Sequence, residues 1–304
     1  MSLIVLLLPD FILIFIGLLL SRITDWGRDF WSGLEKLIYY VLFPVLLFTS
    51  IARTQIDFTA AAPAIKTAVI TAVSGMLLGF LAKPIFKIED KTFASGFQTA
   101  FRFNSYIGLA IMGRLHGDAG ITAFGIVICL VVPLANLASV WALARNSKLN
   151  LAKELAQNPL IIATLSGVLF SLSGLKLPEV ALLLFNRIGA ASLACGLITV
   201  GAALQLKDGF KHIGLLAYWT SIKLLVLPVI AYFVGRALGL QGLYFEAVVL
   251  LAALPTATSA YILAVRMGGN GQIVAILITL STVTAMFTIP VWLHIARNGF
   301  SNFF

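Results

Sequence analysis

The sequence predicts an all-α integral membrane protein: ten transmembrane helices, numbered here as spans 1 to 10, in two inverted five-helix repeats with breaks in spans 4 and 9. Three observations carry this. Of 304 residues, 60% are hydrophobic and 11% charged, and mean hydropathy is +1.02. A soluble domain carries roughly a quarter charged residues, so this chain cannot clothe a water-exposed surface. Apolar runs of the length a bilayer needs, about 20 residues, recur along the chain. The two halves of the chain also match each other at a nearly constant shift.

The repeat is explicit at the start of each half. LPDFILIFIGLLLS at 8–21 lies over NPLIIATLSGVLFS at 158–171 without a gap, so Pro9 meets Pro159, Gly17 meets Gly167 and Ser21 meets Ser171. Further on, Lys36 meets Arg187, Asp57 meets Asp208, and GDAG at 117–120 meets GGNG at 268–271, all at a shift of 151. The first repeat occupies 1–146, with spans at 2–20, 33–52, 62–82, 94–113 and 120–144. The second occupies 157–297, with spans at 158–174, 183–204, 214–236, 245–266 and 272–296. Five spans per repeat force the second copy to insert upside down, a recurring transporter architecture.

Span 1 lacks a basic n-region, carries Pro9 and Asp10, and has a counterpart in the second half. It therefore reads as a membrane helix rather than a cleaved signal. Orientation follows from Lys and Arg: the loops after spans 1, 3, 5, 7 and 9 hold eleven, including Arg145, Lys148, Lys153, Lys207 and Lys211, and the opposite side holds five. The richer side is expected to be cytoplasmic, which puts both termini outside the cell membrane. The same bias explains the net charge of +9 without nucleic acid as a partner. Lys83, Lys87 and Lys91, four apart, read as a cytoplasmic membrane-surface stripe.

Span 4, ASGFQTAFRFNSYIGLAIMG, holds Arg102, Asn104, Ser105 and Tyr106 at its centre. An Arg there costs about 2.5–3.5 kcal/mol on insertion scales. Ser95, Gln98, Arg102 and Tyr106 fall at helical spacing and predict one polar stripe facing protein or water. In span 9, FEAVVLLAALPTATSAYILAV, Pro255 lies opposite Asn104 at the repeat shift. Pro255 removes a backbone donor and clashes with the preceding turn, and Thr256, Thr258 and Ser259 follow. Matched interruptions in two halves point to a transporter's binding site. A broken helix offers backbone N–H groups and a dipole that attract an anion, and Asn104 is a natural cap for such a half-helix.

Other polar residues read more plainly. Pro44, Pro133, Pro228 and Pro290 are expected to kink their helices. Lys223, in YWTSIKLLVLP near the middle of span 8, either snorkels to an interface or supplies countercharge to the anion. Ser281, Thr284 and Thr288 read as helix–helix glue. Cys129 and Cys195 read as packing residues. His116, His212 and His294 are scattered, and no HExxH, GxSxG or phosphate-loop motif occurs, so neither an enzyme nor a bound cofactor or metal is expected.

The runs FRFNSYIGLAIMGRLHGDAG, VVPLANLASV and ALPTATSAYILAVRMGGN, with YVLFPVLLFTSIA in span 2, resemble the bacterial auxin efflux carrier family, which includes the plant PIN auxin exporters. The likeness implies a scaffold of helices 1, 2, 6 and 7 and a transport domain of helices 3–5 and 8–10, moving like an elevator. It implies that the broken helices 4 and 9 cross, here at Asn104 and Pro255, and that the substrate is an organic anion. Where the plant carriers place a proline beside the asparagine, this chain has Phe103 and Ser105. That departure favours a smaller, more strongly charged acid than auxin, such as malate or malonate.

Together these residues predict a carrier whose half-helix ends, at Asn104 and Pro255, hold a carboxylate. Arg102 and Lys223 supply countercharge, and Gln98, Ser105, Tyr106, Thr256, Thr258 and Ser259 line the site. The lipid bilayer is its other partner, and a homodimer is left open. The rivals are a sodium or proton antiporter, which would need intramembrane carboxylates where the chain offers only Asp10 and Glu246, and a non-transporting membrane receptor. Uptake of labelled dicarboxylates separates them.

Overall fold

A computed structural model describes residues 3–53, 58–143, 157, 159–204 and 213–299. The repeat partners Asp57 and Asp208, the basic residues Arg145, Lys148, Lys153, Lys207 and Lys211, and His212 lie outside these. The described residues are helical with no strand. Their helices are α1 (Leu3–Ile23), α2 (Arg28–Leu37), α3 (Phe43–Arg53), α4 (Phe58–Phe80), α5 (Ala82–Phe86), α6 (Asp90–Phe97) and α7 (Ser105–Leu143) in the first half. The second half gives α8 (Pro159–Leu172), α9 (Glu179–Ala202), α10 (Ile213–Ser221), α11 (Leu227–Ala237), α12 (Gly242–Ala253), α13 (Ser259–Arg266) and α14 (Gly271–Asn298). Six stretches among the described residues are long and apolar enough to cross a membrane, and Phe11–Ile23 and Gly242–Ala253 are shorter apolar helices. The chain is a multi-pass membrane protein.

Contacts divide the chain into two units. The first comprises the described residues of 1–61, 106–129 and 151–203. Within it α1 packs on α9, and α3 packs on α8 and α9. Both α1·α9 and α3·α8 are close approaches through glycine. A Cβ on Gly17 would stand 1.9 Å from Ile198 O, and one on Gly201 would stand 1.7 Å from Ile14 O. Gly167, the repeat partner of Gly17, would put a Cβ 3.0 Å from Ile51 Cβ. Small residues let backbones meet where lipid supplies no hydrophobic drive between helices.

The second unit comprises the described residues of 62–105, 130–150 and 204–304. Here α14 packs on α12, α13 and α6, and α11 packs on α12. Beyond the end of α4, the expected lysine stripe does not form. Lys87 ends α5 in the left-handed region (φ 49°), so the helical spacing is lost. Lys83 instead pairs with Asp90 and lies over the Phe93 ring.

Two prolines reshape their helices in the same way. Pro44 follows a π-helical turn at Ile38–Leu42, and Pro228 follows one at Ile222–Val226. Proline cannot donate to the carbonyl four residues back and crowds it, and a widened turn relieves the crowding. The carbonyl that Pro228 leaves without a helical donor is Leu224 O. Trp292 Nε1 donates to it at 2.9 Å.

Candidate anion-binding site

Both predicted breaks are present. After α6 a single 3-10 turn covers Gln98–Ala100, residues 101–104 are non-helical, and α7 begins at Ser105. On the other side α12 ends at Ala253, and α13 begins at Ser259. The repeat-matched residues touch: Asn104 N donates to Pro255 O at 2.9 Å. Three further bonds join the breaks. Gln98 Nε2 donates to Ala260 O (3.2 Å), Thr256 Oγ1 to Thr99 O (3.0 Å), and Arg102 Nη2 to Ser259 Oγ (2.9 Å).

A helix end leaves carbonyls on one side and amides on the other without partners, and in a membrane each must be accounted for. At the end of α6, Thr99 O is satisfied by Thr256. At the end of α12, Leu251 O and Ala252 O accept from Lys223 Nζ at 3.4 and 3.0 Å. Lys223 therefore does not snorkel. It is 1% exposed, sits inside the π turn that Pro228 imposes, and places its charge at the negative end of α12.

The amide side differs. Thr256 N donates to Ser281 Oγ at 3.2 Å. The next three amides, of Ala257, Thr258 and Ser259, find no acceptor among the described residues. Ala257 and Thr258 are half-buried and Ser259 is exposed. Arg102, 8% exposed, brings its guanidinium to the same helix start. Three backbone amides, the positive end of α13 and one guanidinium thus lie at the start of the same helix, and groups of this kind favour negative charge.

The other residues singled out from sequence fall as follows. The polar stripe expected from Ser95 to Tyr106 does not form, because the helix is interrupted between Gln98 and Ser105. Ser95 Oγ accepts from Asn270 N (2.6 Å). Ser105 is half-buried at the start of α7. Tyr106 belongs to the first unit, where its ring stacks on Phe43 at 4.4 Å between centroids. Gln98 and Thr256 are fully buried with their donors committed to the cross-links above. Sequence reasoning assigned Ser281 to glue between helices, and it is that, but its partner is the break itself. The role of Pro228 in turning Lys223 inward was missed. Its signal was a proline five residues after a mid-span lysine.

Among the described residues no group of His, Cys, Asp and Glu could hold a metal. Glu246 is engaged by Arg297, at 2.9 and 2.7 Å from its Nε and Nη2.

Known proteins resemble this chain over nearly its whole length. It is 26% identical over 309 residues to a Rhizobium meliloti (strain 1021) protein named "Putative malonate transporter", covering 97% of this chain and 96% of the relative. It is 24% identical over 307 residues to the Escherichia coli (strain K12) "Uncharacterized transporter YfdV", covering 96% of each. An "Uncharacterized transporter" of Methanothermobacter thermautotrophicus is 24% identical over 290 residues, covering 92% of this chain and 94% of that one. The family model described as membrane transport protein matches residues 138–293. That match spans more than half of the chain, and the chain accordingly belongs to this family of membrane transport proteins, the auxin efflux carriers.

Proposed function

We propose that the protein is a secondary active carrier of a small carboxylate or dicarboxylate in the cell membrane, working by alternating access. Ten helices in two inverted repeats form it, both termini lie outside, and helices 3–5 and 8–10 move as an elevator against helices 1, 2, 6 and 7. The observation that carries the substrate class is the trio of unpartnered amides at 257–259 beside the Arg102 guanidinium. A carboxylate accepts from such amides and takes a bidentate pair from Arg. The name of the Rhizobium relative adds malonate as the first compound to try. The ion pair of Glu246 with Arg297 removes one of the two carboxylates an antiporter could have used.

The elevator division draws support from the way spans 1, 2, 6 and 7 cluster in the first unit. The stretch 106–129, parts of spans 4 and 5, clusters with them rather than with the rest of the proposed moving part. Uptake of labelled malonate, malate and acetate into proteoliposomes tests the proposal. Saturable uptake of one of these acids, competed by its unlabelled form, is the expected outcome. Uptake of sodium without any acid would overturn it.

A further inference from the structure

In a continuous helix each N–H donates to the carbonyl four residues back. At the end of α12 this holds as far as Leu254, whose N–H reaches Leu250 O at 2.9 Å. The next two steps fail. Pro255 has no N–H to give Leu251 O, and Thr256 N turns away to Ser281 Oγ. The carbonyls left over, Leu251 O and Ala252 O, are the pair that Lys223 Nζ binds, at 3.4 and 3.0 Å. One side chain from the π turn at Ile222–Val226 thus replaces both donors that the break removes.

The surroundings of that nitrogen suit a positive charge. The carbonyls belong to the negative end of a helix, and Nζ lies over the Phe103 ring, 6.0 Å from its centroid. Among the described residues no carboxylate pairs with Lys223, which is 1% exposed. The cleft beside it, walled by Ala68, Ala72 and Leu227, has room for at most about one water-sized group. A second cation there would have to sit against the ammonium. In carriers with broken helices, carbonyls at the C-terminal ends of half-helices are where a coupling sodium ion or proton is held.

From this geometry we infer that the Lys223 ammonium is the resident cation of the break. It stands where a coupling metal cation would otherwise close the carbonyl end of α12. The intact chain therefore takes no sodium there, and a chain without the ammonium accepts a small organic cation in its stead. The inference rests on reading the chain as a broken-helix carrier. Lys223 is a positioning residue, acting through the end of α12 rather than on the transported acid.

Thermal unfolding of the purified full chain in detergent tests this, with choline as the spectator cation at constant ionic strength. Lys223→Ala removes the outline of n-propylammonium. The variant should melt below the wild type, and propylammonium should restore at least half of the loss, saturably. Propanol, which fills the same space without charge, should not. Lys223→Met fills the space itself and should not respond to propylammonium. The wild type should show no saturable binding of radiolabelled sodium. Equal rescue by propanol would reduce Lys223 to a space-filling role and overturn the inference. No rescue of folded Lys223→Ala, or an equal response in Lys223→Met, would do the same. Saturable sodium binding to the wild type would also overturn it, and that measurement decides the matter if Lys223→Ala fails to fold. Neither readout uses a transported acid. A failure to find acid uptake therefore leaves this inference standing, and its own failure leaves the Arg102 site as it was.

Discussion

The two units solve the membrane's packing problem with different chemistry. In the first, helices meet backbone to backbone, with Gly17 and Gly201 giving α1 and α9 their closest approach and Gly167 seating α8 on α3. Its named ion pair, Arg53–Asp118, is about two-fifths exposed on each side. In the second, helices are interrupted, and two cations, Arg102 and Lys223, are buried beside the interruptions. Glycine contacts are selected for fit and carry no chemistry. Broken ends carry backbone dipoles that a continuous helix does not, and in the proposed function some of these take the substrate. The lesson is that lesions in the first unit should read out in stability and lesions in the second in affinity.

The largest effect expected from that contrast is at Arg102. Arg102→Ala removes a charge-assisted donor, worth about 1.5–3 kcal/mol, which corresponds to roughly 10- to 150-fold weaker binding of the transported acid. Arg102→Lys should recover part of it, because Lys is a point charge without the planar fork. Titration calorimetry with the acid found by uptake measures both. An unchanged affinity in Arg102→Ala would assign Arg102 to cross-linking alone, through Ser259.

Next is Gly17→Val. Its Cβ would overlap a backbone oxygen, and backbone cannot rotate away as a side chain can, so α1 and α9 must separate. Overpacking of this kind costs about 1–3 kcal/mol. Thermal unfolding in detergent should fall accordingly, while the affinity of the surviving folded fraction stays at the wild-type value. A weakened affinity would break the contrast by showing that the first unit also sets the site.

Sequence alone located long apolar helices and both breaks for a physical reason. Apolar runs have to be long in lipid, and Pro255 and Asn104 fall at one repeat shift where a continuous helix has no reason to change. It did not reveal how the freed backbone groups are satisfied. Lys223 offered no sign of its partners, because they are main-chain carbonyls at 251 and 252 and carry no side-chain signature. The Ser95-to-Tyr106 stripe failed because helical spacing was extended across the very break that had been predicted. The lysine stripe failed because a left-handed residue at Lys87 is not the glycine that usually marks such a turn. Gly117 and Gly268, matched in the repeat, do take positive φ, 58° and 72°, and there the residue type announced the turn.

The smallest expected effect sharpens the comparison at its weakest point. Arg53 Nη1 lies 3.2 Å from Asp118 Oδ2 and 3.3 Å from Asn186 Oδ1, and Ser50 Oγ donates to Asp118 Oδ1 at 3.4 Å. The group ties the end of α3 to the turn at Gly117 and to α9. Both charged side chains keep about two-fifths of their surface in contact with solvent, so water competes for the pair. Exposed ion pairs couple by about 0.2–1 kcal/mol, and salt screens them over about 10 Å at 0.1 M. A cycle of Arg53→Gln, Asp118→Asn and the double variant should give a coupling in that range from thermal unfolding, shrinking further at high salt. The neutral side chains can still hydrogen bond, so the cycle reports charge rather than loss of contact. A coupling well above this range and insensitive to salt would mean that the pair is held away from water. The first unit would then also carry a desolvated charge, and the division between a glycine-packed unit and a charge-bearing one would have to be redrawn.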